Sequence, residues 1–248
     1  MGTIREPATL YRFNGLDATA AAIYLAFTAL FAVASELLEP LLRPVFPDPA
    51  SESYAVNLVF YTCVGVFAVA SARHVVARDV RILGTRPWFT AAMVPASLVA
   101  MLVFTAILVA ATGTVQSAEN QLDIQGLMQQ VPPWLMVPLL VVLGPFVEEY
   151  LFRHLLIGKL SRHVNIWICC TLSVLVFASI HVVGREGLVL SAVAPYLGMA
   201  IVLVAVYVWT GKNLMFSYFV HAAKNLLAVV LIYAVPPEFM DQIQQLQP

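Results

Sequence analysis

Apolar residues run almost unbroken through seven stretches of this chain, at roughly 16–38, 54–72, 88–112, 133–157, 165–183, 188–210 and 213–235. A helix of about twenty apolar residues crosses the roughly 30 Å hydrocarbon core of a bilayer, so each stretch predicts a transmembrane helix. The separators read as connections: EPLLRPVFPDPASES is proline-rich, RHVVARDVRILGTRP is basic, and TGTVQSAENQLDIQGLMQQVPP is polar and mildly acidic. Each crossing must satisfy its own backbone hydrogen bonds, which points to an all-α, polytopic membrane protein with about seven transmembrane helices. No internal repeat or low-complexity tract interrupts this pattern.

Composition agrees. Of 248 residues, 61% are hydrophobic and 11% charged, and the mean hydropathy is +0.86, all far from the balance of a soluble domain. Thirteen basic and fourteen acidic residues leave a formal charge of −1, which gives no support for a nucleic-acid partner. Cys63, Cys169 and Cys170 fall inside apolar runs without CxxC spacing and read as core thiols. Arg73, Arg78, Arg81 and Arg86 cluster in one connection, Lys159 and Arg162 in another and Lys212 in a third, so the positive-inside rule puts these on the cytoplasmic side. The N-terminus with Arg5 and Arg12 then lies inside and the C-terminal EFMDQIQQLQP outside. Glu119 and Asp123 fall in an outer loop, and Arg185 in GREG at 184–187 is the one mark against this topology. Glu36 and Glu39 sit at an outer helix end, while Ala32 to Ala34 leave a signal peptide open as an alternative for the first segment. Trp88, Trp134 and Trp209 fit interfacial belts, and His74, His154 and His163 read as interfacial.

Ionisable residues inside a bilayer cost roughly 2.5–3.5 kcal/mol each on insertion scales, so those present are candidates for function. They concentrate in segments four to seven. Glu148 and Glu149 lie in WLMVPLLVVLGPFVEEYLFRHLLIGKL, with His181 on segment five and His221, Lys224 and Asn225 on segment seven. Glu149 and Arg153 are four apart, share a helix face and can pair. Glu148 points about 100° away and is left free. Gly144 and Pro145 predict a kink that opens room beside it. At about 1.5 Å per residue from the cytoplasmic ends, Glu148, His221, Asn225 and His181 lie roughly 12 to 22 Å deep, so helix tilt allows the four to meet in one cavity. Lys224 either snorkels toward the cytoplasm or pairs with a carboxylate.

A carboxylate, two imidazoles and a carboxamide are a coherent set for hydrolysis. The carboxylate and a histidine take a proton from attacking water, and a histidine and an amide donate to the developing oxyanion.

The residues also carry a resemblance. EEYLFR fits EExxxR, FASIH at 177–181 fits FxxxH and HAAKN at 221–225 fits HxxxN, in the order and spacing of the CPBP family of intramembrane proteases. That family includes the CAAX prenyl endopeptidases and bacterial proteins linked to bacteriocin self-immunity. The resemblance covers about residues 130–235, dividing the chain into an N-terminal transmembrane region of three helices at 1–125 and a four-helix protease core at 130–235. It implies that Glu148 and His181 activate the water, that His221 and Asn225 form the oxyanion hole, and that Glu149, Arg153 and Phe177 support them. Where the family commonly has glycine after the arginine, this chain has His154, which would narrow the space beside the site. No cofactor is expected, with zinc held by Glu148, His181 and His221 as the alternative; no HExxH motif is present. The expected partners are the lipid bilayer and a peptide or membrane-protein substrate, prenylated substrates included. The expected location is the plasma membrane, with the site opening toward the cytoplasm. Two other classes stay open on the residues alone: a non-catalytic scaffold that regulates another membrane protein, and a proton-coupled transporter.

Overall fold

The protein was analysed as a computed structural model, which describes residues 10–46, 48–112, 119–182 and 189–234, without the side chains of 32–41 and 119–122. The expectations for Glu36, Glu39, Glu119, Arg185 and the C-terminal tail fall outside these. The described residues form helices joined by short turns, with no strand among them. The seven apolar runs become α1 (Gly15–Leu42), α2 (Pro49–Thr85), α3 (Pro87–Thr112), α5 (Pro133–Arg162), α6 (Ile166–Ile180), α7 (Leu190–Trp209) and α8 (Leu214–Ala234). By length and composition α2, α3, α5, α7 and α8 can each cross a membrane, and α1 and α6 contribute shorter apolar helices. This is an all-α, polytopic integral membrane protein.

Two connections differ from the sequence reading. The arginine-rich stretch is no loop: α2 runs for 37 residues, about 55 Å at helical rise, and its last turns carry Arg73, Arg78 and Arg81. The polar separator before segment four contains α4 (Glu119–Gln130). Its apolar residues are too few for a span, yet Met128 is buried and Ile124 and Leu127 pack with Met136, Val141 and Val229 in a core cluster.

Four helix starts are fixed by short polar side chains, which satisfy N–H groups left open there. Asn14 and Asp17 cap α1 reciprocally, the Asp17 N–H donating to Asn14 Oδ1 at 3.1 Å and the Asn14 N–H to Asp17 Oδ2 at 2.8 Å. Asp48 accepts from the Ser51 N–H at 2.8 Å, and these Ser51 contacts hold its carboxyl below the usual carboxylate range. Asn165 caps α6 through Trp167. Asn213 accepts from the Phe216 N–H, while Asp79 of α2 takes the Leu214 N–H at 2.6 Å, so α2 also caps α8.

Burial ranks the helices. In the apolar window of α5, 61% of residues are buried within the protein, against 11% for α3. Thus α5 is the central helix and most of α3 faces lipid. Where α3 does touch the bundle it comes close: a Cβ on Gly198 of α7 would lie 2.8 Å from Thr105 Cα and 2.9 Å from its N. Only glycine allows that backbone approach, a device suited to helices without a hydrophobic drive to associate.

The arginine end of the bundle is tied by a polar network. Asp17 Oδ1 accepts from Ser71 at 2.5 Å, Tyr150 at 2.5 Å and Lys159 at 2.7 Å, with a second Lys159 contact to Oδ2 at 2.6 Å. Lys159 was expected in an exposed cytoplasmic connection, but it is buried against Asp17 because the aspartate of α1 offers a full countercharge. Beside it Arg78 pairs with Asp79 and donates to Tyr11 at 3.0 Å.

Candidate active site

Two prolines shape the helix that carries the glutamates. Within α5, Pro138–Leu143 and Tyr150–Lys159 are π-helical and flank a short α segment, Gly144–Glu149. The Gly144 N–H donates to Leu139 O, one residue farther back than in an α-helix. The π partner of Leu140 O would be the N–H of residue 145, which is proline and has none. That carbonyl is therefore orphaned, and Asn225 Nδ2 of α8 donates to it at 2.8 Å. The kink expected from Gly144 and Pro145 is realised as a change of helical register. A Cβ at Gly144 would press on Leu139 O at 3.2 Å, while the Tyr61 ring beside it would be in ordinary contact at 3.8 Å.

Glu148, His181, His221, Lys224 and Asn225 all line one cavity of about 250 Å3, walled also by Tyr61, Tyr196, Gly144 and Pro145. The two glutamates point to different surroundings. Glu149 is fully buried behind the cavity wall, 3.3 Å from Arg153 Nε and 3.0 Å from His221 Nδ1. Arg153 is also fully buried; its guanidinium carbon sits 4.4 Å from the centroid of the Phe177 ring, whose π face adds to the Glu149 charge in stabilising it. Glu148 faces the cavity, with Oε2 3.8 Å from His221 Nε2. It is not free: Tyr61 OH donates to Oε1 at 2.9 Å.

His181 ends α6. Its Nδ1–H donates to Phe177 O at 2.7 Å, a tautomer assigned from that carbonyl partner, which leaves Nε2 as a lone-pair acceptor. Its ring stacks on Tyr196 at 4.6 Å, and Phe177 touches both histidine rings, at 4.7 Å from His181 and 6.0 Å from His221. Phe177 thus spaces the two imidazoles and shields Arg153.

Three expectations change. His154, read as interfacial and as narrowing the site, is fully buried outside the cavity between Tyr11 and Tyr150, with ring centroids 5.5 and 5.8 Å away. It points toward the arginine end because it lies on the other side of α5 from Glu148. Lys224 does not snorkel toward the arginine end; it lines the cavity. The cavity was expected to open on the cytoplasmic, arginine side, but its exposed lining residues, Ser53 and Asp123, belong to the opposite end of the bundle. The arginine side is filled by the buried Asp17, Tyr150, Arg153, His154 and Lys159.

Tyr61 was missed by sequence reasoning, because a tyrosine in an apolar run carries no charge to mark it. Tyr196 was missed for the same reason. As to a metal, among the described residues no three His, Cys, Asp or Glu side chains are arranged to hold an ion. The nominated zinc set has His181 Nδ1 committed to Phe177 and His221 Nδ1 to Glu149.

An α-helical membrane bundle with a carboxylate and two imidazoles around a buried polar cavity is the class of protein defined here. Residues 130–227, which carry α5 to most of α8, match the family model described as type II CAAX prenyl endopeptidase, Rce1-like. Over those residues the chain is similar to that family. It is also similar to the membrane-embedded CAAX protease MroQ of Staphylococcus aureus (strain USA300), 31% identical over 107 residues. That alignment spans 41% of this chain and 40% of the relative. No solved structure matches.

Proposed function

We propose that the protein is an intramembrane endopeptidase, of CAAX type, that hydrolyses peptide bonds with a water activated by Glu148 and His181. The observation that carries the reading is Glu148: a carboxylate in a buried cavity, flanked by two histidines and an asparagine, within the segment matched by the family. Water held between Glu148 and the free Nε2 of His181 loses a proton to the carboxylate as its oxygen attacks the substrate carbonyl. Glu148 then returns that proton to the leaving amine. The oxyanion accepts from His221 Nε2–H and from the second Asn225 amide hydrogen, the first being engaged by Leu140 O. Glu149 orients the His221 ring through Nδ1 and Arg153 balances Glu149. The mechanism needs no metal ion; stoichiometric zinc whose removal abolishes cleavage would overturn this part.

The plasma membrane is the proposed location, and the cavity is proposed to admit water from the side opposite the arginines, which the positive-inside rule makes the outer side. Peptides and membrane-protein segments, prenylated ones included, are the proposed substrates, and processing of bacteriocin-type peptides is one role such chemistry serves.

Removing a general base costs about 10²- to 10⁴-fold in rate. Comparison of membrane proteomes from cells with wild-type protein and with Glu148→Gln is expected to show new C-termini only in the former. If Glu148→Gln and His181→Ala both kept full biological activity, the protein would instead be a scaffold.

A further inference from the structure

Resting on the protease reading, we propose that Lys224 is the substrate-carboxylate receptor of this site and sets how far from an anionic group the chain is cut. Lys224 lies three residues beyond His221 on α8 and lines the cavity that holds Glu148, His181 and His221. Among the described residues it has no hydrogen bond and no ion pair. Lys224 is half-buried in the cavity wall, where an ammonium without a bonded partner is stabilised by an anion it can receive. The carboxylates near it do not fill that role. Glu148 attracts it through space but is bonded to Tyr61 and directed at His221, and Asp123 is at the exposed rim with a contact elsewhere. Arg153, the other cation near the glutamates, is fully buried against Glu149 and outside the cavity wall.

The geometry gives the ligand's chemistry and spacing. Lys224 is about 4.5 Å farther along α8 than His221, on the side away from the arginine end. A second carboxylate next to Glu148 is repelled, so the anion must sit outward of the reacting centre. An extended peptide advances about 3.3–3.6 Å per residue, so one to three residues fit between a scissile carbonyl at Glu148–His221 and a carboxylate on Lys224. Two sources supply that carboxylate: the free C-terminus of a short leaving peptide, or an acidic side chain just beyond the cut.

The test uses the full chain in lipid nanodiscs with a dansyl-labelled apolar heptapeptide in three forms: free C-terminal acid, C-terminal amide, and amide with aspartate two residues from the end. Binding is read by fluorescence, and cleavage by mass spectrometry of the same samples. Wild-type protein is expected to bind one or both anionic forms at least about tenfold tighter than the plain amide. Lys224→Met should abolish that preference and Lys224→Arg should retain it, which separates charge recognition from misfolding. Preference for the acid alone identifies the C-terminus as ligand, and equal preference for both anionic forms identifies any carboxylate at that distance. Equal binding of all three forms by wild-type protein, or an unchanged preference in Lys224→Met, overturns the proposal. Selective binding without cleavage of any form leaves Lys224 as the receptor and counts against the protease reading instead.

Discussion

Tyr61 shows how much of a membrane site can rest on a residue without charge. Its hydroxyl donates to Glu148 at 2.9 Å from a helix outside the matched segment, so the proposed base is oriented by α2 as well as by α5. A hydrogen bond to a charged group contributes about 1.5–3 kcal/mol. Tyr61→Phe keeps the ring packing and removes only that donor. Turnover is expected to fall roughly tenfold or more, the factor that about 1.4 kcal/mol represents, with folding retained by thermal melting. Unchanged turnover would show that Glu148 is positioned without Tyr61. At this scale charge was the legible signal: Glu148, Glu149, Arg153, His181 and His221 stood out as ionisable groups that lipid rejects, and their spacing paired Glu149 with Arg153. Tyr61 stayed hidden because an aromatic hydroxyl in an apolar run looks like packing. Lys159 and His154 were read as surface groups because their partners, Asp17 and the rings of Tyr11 and Tyr150, are remote in sequence.

At the scale of elements, the register change in α5 ties a sequence feature to a contact between helices. Pro145 withholds the N–H that Leu140 O needs, and Asn225 supplies a donor in its place. Asn225 therefore serves the fold as well as the proposed oxyanion hole, and the two roles can be separated. Asn225→Ala is expected to destabilise the protein by about 1–3 kcal/mol, the cost of an orphaned buried carbonyl, as well as to lower turnover. Combining it with Pro145→Ala, which restores a backbone N–H, should recover much of the stability and little of the turnover, with denaturant unfolding and peptide cleavage as the two readouts. Full recovery of both would make Asn225 a structural clamp only. The seven apolar helices were legible because lipid imposes length and hydropathy on each. Helix α4 was not, since a helix lying across the rim needs only Met128, Ile124 and Leu127 for its buried face and is polar elsewhere. The helical continuation of α2 escaped for a related reason: arginines mark the water side of a membrane but do not stop a helix.

For the molecule as a whole, topology determines which side supplies water and substrate. Ser53 and Asp123 at the exposed cavity rim and Arg81 and Arg86 near the far end of α2 stand at opposite ends of the bundle. In sealed right-side-out vesicles, a membrane-impermeant maleimide is expected to label Asp123→Cys and to leave Arg86→Cys unlabelled until the membrane is opened, in a background with Cys63, Cys169 and Cys170 replaced by serine. The reverse pattern would return the cavity to the cytoplasmic side. The arginines predict a topology through the positive-inside rule, but the direction in which the site opens depends on how α2, α4 and α5 pack around Glu148, which no periodicity encodes.

The closure at the arginine end has a consequence for the membrane itself. Tyr150 and Lys159 both donate to Asp17, and these three, with Arg153 and His154, are almost wholly shielded from solvent. Among the described residues the polar interior is thus closed at this end, so water and the products of the proposed cleavage pass by the rim at Ser53 and Asp123. A cell can hold the proposed chemistry in its membrane with this end of the bundle sealed against ion leakage.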